Sequence, residues 1–163
     1  MQTVYTYIEK ALSDSHWSIP WRVSYVSVAK QVIVQAYLPV DDVEDIQLLD
    51  GNNQLLGDVN YLELKFILTE TSLTAQSSDE VMMIQALDNG HFTIGYLEVV
   101  FQQMNQMIHN GRLQIKELLA GQITEVAMTW PEETVAQMVA TRKSVNRYDE
   151  TQLQLGDDKN DVV

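Results

Sequence analysis

Val23-Ser-Tyr-Val-Ser-Val-Ala-Lys-Gln-Val-Ile-Val-Gln-Ala-Tyr-Leu38 contains two runs rich in Val, Ile and Tyr, Val23–Val28 and Gln31–Leu38, parted only by Ala29-Lys30. β-Branched and aromatic residues suit a pleated, half-buried surface, and two such runs this close together read as an antiparallel hairpin. Ala-Lys lacks the Asn-Gly or Asp-Gly chemistry of a tight primed turn, which leaves turn type and register open.

Upstream, Val4, Ile8, Ala11 and Leu12 recur at helical spacing before Ser13-Asp-Ser15 breaks the pattern, which predicts an N-terminal helix. Downstream, Pro39 and Asp41-Asp-Val-Glu-Asp45 read as a loop. Ile46–Leu49 and Gln54–Leu56 around Asp50-Gly-Asn-Asn53 read as a small hairpin. Tyr61–Thr69 is the clearest strand: Leu62, Leu64, Phe66 and Leu68 alternate with Tyr61, Glu63, Lys65 and Ile67, giving one apolar and one mixed face. Thr71–Glu80 is polar, and Val81–Leu87, apolar on both faces, reads as a central strand closed by Asp88-Asn-Gly90.

The C-terminal half turns helical. Ile94, Leu97, Phe101, Met104 and Ile108 mark one face of a helix that Asn110-Gly111 is suited to end. Arg112–Leu119 then reads as a second helix ended by Gly121. Ile123–Met128 resembles a last strand. Thr129-Trp-Pro-Glu132 has the spacing of a capping box for a helix with Val135, Met138 and Val139 on its stripe, running to about Lys143. From Tyr148 the apolar density falls. The whole is an α+β chain, an antiparallel sheet with helices packed on one face, expected as a single domain over 1–147 with an acidic, disordered tail over 148–163.

Charge is unevenly placed. The formal net charge is −13, and residues 41–80 alone hold ten carboxylates against the single cation Lys65. Such a field repels phosphate backbones and anionic membranes, so neither nucleic acid nor membrane is an expected partner. Cys is absent, which removes disulfides, thiolate zinc sites and cysteine nucleophiles. The first ten residues lack a basic n-region and an apolar h-region, and no stretch approaches the ~18 apolar residues of a span, so the expected location is cytoplasmic.

Motifs of chemistry do not emerge. His16, His91 and His109 fall in separate elements with no HExxH, and each has a structural reading beside a turn or near a helix C-terminus. Glu132-Glu133 fits a helix start, and Asp50–Asp58 fails the spacing of a calcium loop. The glycines form neither a GxGxxG nor a Walker loop, and no Ser lies in a GxSxG elbow. No catalytic residue, cofactor or metal is assigned. The methionines Met82, Met83, Met104, Met107, Met128 and Met138 read as packing, while Trp17 and Trp21 read as core or as anchors for a partner.

The segments Tyr96-Leu-Glu-Val-Val-Phe-Gln-Gln-Met-Asn-Gln-Met107, Gly111-Arg-Leu-Gln-Ile-Lys-Glu-Leu-Leu119 and Val126-Ala-Met-Thr-Trp-Pro-Glu-Glu133 resemble a small family of uncharacterised proteins from lactic-acid bacteria. That resemblance implies a bacterial, cytoplasmic protein and brings no activity and no catalytic residue.

The functional expectation is a non-enzymatic interaction module that meets another protein, basic in character, or a second copy of itself as a homodimer. The candidate contacts are Asp41, Asp42, Glu44, Asp45, Trp17 and Trp21. The alternative is an enzyme or small-ligand protein in which Glu63, Glu98 or Glu125 meets a histidine in a cleft.

Overall fold

A computed structural model describes residues 2–40, 61–70, 81–86 and 91–157. The loop at Asp41–Asp45, the expected hairpin over 46–56, the loop over 71–80, the turn at 88–90 and the tail beyond 157 lie outside the described residues.

Helix α1 (Val4–Ser15) starts with a reciprocal cap: the Thr3 hydroxyl accepts from the Thr6 N–H at 3.1 Å, and the Thr6 hydroxyl accepts from the Thr3 N–H at 2.8 Å. Val4, Ile8 and Leu12, one per turn, are fully buried, and the helix stops at His16 in the left-handed region. The hairpin expected at 23–38 forms from β1 (Trp21–Val26) and β2 (Gln31–Pro39), antiparallel from Trp21↔Ala36 to Val26↔Gln31. The loop takes Ser27 and Val28 as well as Ala29-Lys30. Its turn closes by the Lys30 N–H donating to the Ser27 carbonyl at 3.2 Å, with Lys30 in the left-handed region at φ 51°.

Strand β3 (Tyr61–Thr69) pairs antiparallel with β2 in the register Val34↔Phe66, so Val32, Val34, Ala36 and Leu38 lie beside Leu64, Phe66 and Leu68 on one fully buried face. Strand β4 (Val81–Gln85) pairs parallel to β3 and completes the order β1-β2-β3-β4. Among the described residues it is an edge strand, not a central one. Met82 and Ile84 point to the core. The apolar residue of its other face, Met83, is only half-buried and is the register partner of Ile67, so the two-sided pattern comes from a cross-strand pair on the outer face.

The two expected helices over 94–119 are one: after the short β5 (Phe92–Thr93), α2 (Ile94–Leu119) runs 26 residues, capped by the Thr93 hydroxyl accepting from the Tyr96 N–H. Asn110-Gly111 does not end it. Gly111 is buried where α2 crosses β2, and a Cβ there would sit 2.8 Å from Leu38 Cδ1 and 3.0 Å from Met128 Sδ, so the glycine serves close packing. The helix ends at Gly121, φ 76°, with the Gln122 N–H donating to the Glu117 carbonyl and the Gly121 N–H to the Leu118 carbonyl, a Schellman cap.

Residues 123–128 are not a strand. Met128 and Trp130 are buried in alternation, as in a strand, but the Ala127 N–H donates to the Gln114 side chain at 3.0 Å and not to a ladder. Trp130 packs edge-on against Phe66, centroids 6.1 Å apart. Helix α3 (Glu132–Ser144) consequently begins at Glu132, with Pro131 at its cap and no side-chain cap bond, so Thr129 is too early for the expected capping box. Val135 and Val139 are buried and Met138 half-buried, as the stripe predicts.

Residues 148–157 depart from the expected disorder. After α3 the chain returns to form β6 (Gln152–Leu153), antiparallel to β5. Leu153 and Leu155 are buried, the Ile94 and Gly95 N–H groups donate to the Thr151 and Asp149 carbonyls, and the Val4 and Tyr5 N–H groups donate to those of Gln154 and Leu155. Two leucines and main-chain bonds hold a segment whose composition is otherwise polar. Among the described residues no helix is long and apolar enough to cross a membrane. The architecture is α+β: a four-stranded, mostly antiparallel sheet with three helices.

Candidate functional site

The exit of α1 and the middle of α2 enclose a depression of about 180 Å³. Trp17, Ser18 and Ile19 supply one wall, following the left-handed turn at His16; Asn105, Ile108, His109 and Arg112 supply the other, one turn after another along α2. Trp17 is held rigidly. Its ring stacks on Phe101, centroids 6.1 Å apart and planes 11° from parallel, and its indole N–H donates to Asn105 Oδ1. Arg112 Nη1 donates to the Ser18 hydroxyl at 3.0 Å, bridging the two walls. Ile19 and Ile108 are buried and make the floor apolar.

Of the residues singled out from sequence, Trp17 lines this depression. Trp21 opens β1, half-buried against the core, so both tryptophans pack as core residues while keeping an accessible edge. Asp41, Asp42, Glu44 and Asp45 lie outside the described residues. His109 is not near a helix end, because α2 continues to Leu119; it faces the depression. Ser18, Asn105 and Arg112 were not singled out from sequence. Their partners are 88 and 94 positions away in the chain, and only the i, i+3 spacing of His109 and Arg112 hinted at a shared face.

The carboxylates proposed for a catalytic cleft are placed separately. Glu63 accepts from Gln35 Nε2 at 2.7 Å on the outer side of the sheet, Glu98 pairs with Arg142 Nη1 at 2.6 Å, and Glu125 is exposed in the segment before α3. Arg142 also donates to Gln102, which fastens α3 to α2. Among the described residues no three His, Asp or Glu side chains gather as metal ligands. The perturbed groups lie at the other end of α2: burial pushes the Tyr96 phenol up, with Tyr148 and Glu132 adding to it, and burial also raises Tyr7, followed by the Glu98 charge. Hydrogen bonds from Thr151 hold Asp149 below the usual carboxylate range.

No protein-family model and no curated protein matches the chain. Among solved structures it is similar to a conserved protein of unknown function from Enterococcus faecalis, a lactic-acid bacterium, with a TM-score of 0.68 and 13% identity over 94% of this chain and 96% of that one. At that identity the likeness is one of fold.

Proposed function

We propose that the protein is a non-enzymatic interaction module of the cytoplasm that meets a basic protein partner through its acidic connections. The observation that carries this reading is the ten carboxylates against one cation between Asp41 and Glu80. The fold supports it by anchoring the ends of that stretch. Val40 is buried, and Pro39 and Tyr61, which flank residues 41–60, are register partners at one end of the sheet. Negative charge attached to a fixed frame speeds encounter with a complementary surface, and it does so most at low ionic strength. Asp41, Asp42, Glu44 and Asp45 are the steering group in this reading, with Trp17 and Trp21 as the aromatic contacts.

A tagged pull-down from lysate at low and high salt, followed by mass spectrometry, should yield a basic protein lost at high salt. Against that purified partner, D41N/D42N/E44Q/D45N should lower the association rate by about tenfold or more at low salt and flatten its salt dependence. An unchanged association rate rejects the acidic patch. Recovery of only the chain itself replaces the hetero-partner reading with self-association.

A further inference from the structure

The depression beside Trp17 has a chemistry that the acidic surface does not use. In a chain of net charge −13, its rim carries Arg112, which meets no carboxylate among the described residues; its one hydrogen bond goes to the neutral Ser18 hydroxyl. Arg112 is exposed, and a guanidinium has five N–H donors in a planar fork, so most of them face solvent and are open to a ligand. His109 stands one turn earlier on the same helix face, without a partner among the described residues, and has a ring N–H to give. Asn105 spends its carbonyl oxygen on the Trp17 indole, and its amide N–H groups meet no acceptor among the described residues. Ser18 accepts from Arg112 and can still donate its own O–H. The polar groups around the apolar floor of Ile19 and Ile108 therefore offer donors, and among the described residues no carboxylate lines the depression.

We infer that this depression binds a small oxyanion, a carboxylate or a phosphate, with Arg112 as the principal contact and His109, Ser18 and Asn105 as further donors. Charge-assisted and bidentate bonds to such groups are the strong contacts a guanidinium makes. Size narrows the ligand. About 180 Å³ falls below the roughly 300–1,000 Å³ of sites for drug-sized molecules, so the group seated in the depression has few heavy atoms. The fixed Trp17 ring and its hydrogen bond to Asn105 make the wall pre-organised, so binding orders little beyond the Arg112 and His109 side chains.

The test uses the full chain, labelled with nitrogen-15, and follows the Trp17 indole N–H, assigned with W17F, during titration with inorganic phosphate or succinate against sodium chloride at constant ionic strength. A saturable shift with either oxyanion and none with chloride is expected; which of the two saturates identifies phosphate or carboxylate as the ligand class. R112Q should weaken it by about tenfold or more, the loss of a hydrogen bond to a charged group. N105D supplies an independent check: it keeps an acceptor for the Trp17 N–H, so the resonance stays dispersed, while its added negative charge should abolish binding. Shifts that rise without saturating, that chloride reproduces, or that R112Q and N105D leave unchanged would overturn the proposal.

Discussion

Tyr96 joins two layers through one phenol. Its ring stacks on Phe92, centroids 5.7 Å apart, and its hydroxyl donates to the Gln85 carbonyl at 3.0 Å, tying the first turn of α2 to the end of β4. Burial holds the phenol neutral, so its folded pKa lies above the ordinary 10.0. The stabilisation is therefore complete below pH 10.0 and is lost as pH rises from there toward the raised folded value, because the unfolded chain ionises first. Tyr5 and Tyr7 are raised in the same direction. Y96F should cost about 1 kcal/mol near neutrality through the lost hydrogen bond. It should also show a shallower fall in urea midpoint between about pH 8 and about pH 11 than the parent, with the other tyrosines supplying the remainder. An identical alkaline slope would mean that Tyr96 is not held neutral by the fold. None of this is visible from the residue alone: Tyr96 sits among apolar neighbours in sequence, and its acceptor belongs to another element. The same holds for Trp17, whose aromatic mass marks it while the Asn105 that fixes it is 88 positions distant.

Elements were readable where periodicity and burial agree. Strand β2 and β3 from Leu64 to Leu68 alternate in burial, and a one-residue slip would turn Phe66 and Leu68 out of the core, so pattern and register are bound together. Misreadings arose where one residue type serves two purposes. Glycine after Asn110 has the chemistry of a helix end, yet at 111 it lets α2 approach Leu38 and Met128, a need set by another strand and another segment. Alternation over 123–128 likewise reports a segment lying on a core, whether or not it has a ladder partner. G111A measures the conflict. Removing a helical glycine gains about 1 kcal/mol, while overpacking against fully buried Leu38 costs about 1–3 kcal/mol, so a net loss of up to about 2 kcal/mol in denaturant unfolding is expected. A stabilised variant would show that Leu38 and Met128 yield to the new methyl group without penalty.

At the scale of the molecule, the ends of the described chain meet. The segment from Tyr148 to Asp157 reads as tail because its apolar content is two leucines, and composition does not register main-chain bonds to α1, β5 and α2. Truncation after Arg147 should expose the sockets of Leu153 and Leu155, each worth about 1.5–3 kcal/mol, and so lower the melting temperature by at least about 6–12 °C. An unchanged melting temperature would show that the segment contributes nothing to stability. G95A attacks the same docking without shortening the chain, since its Cβ would lie 2.7 Å from the Tyr148 ring and 2.9 Å from the Asp149 nitrogen. The acceptors for the Val4 and Tyr5 amides are the carbonyls of Gln154 and Leu155. On a ribosome adding roughly 5–20 residues per second, those acceptors leave the peptidyl-transferase centre about 8–30 s after the helix they complete. Helix α1 is thus finished only after α3 has been made, and a nascent chain stalled short of residue 155 would present α1 with its Val4 and Tyr5 amides turned to water in place of their protein acceptors.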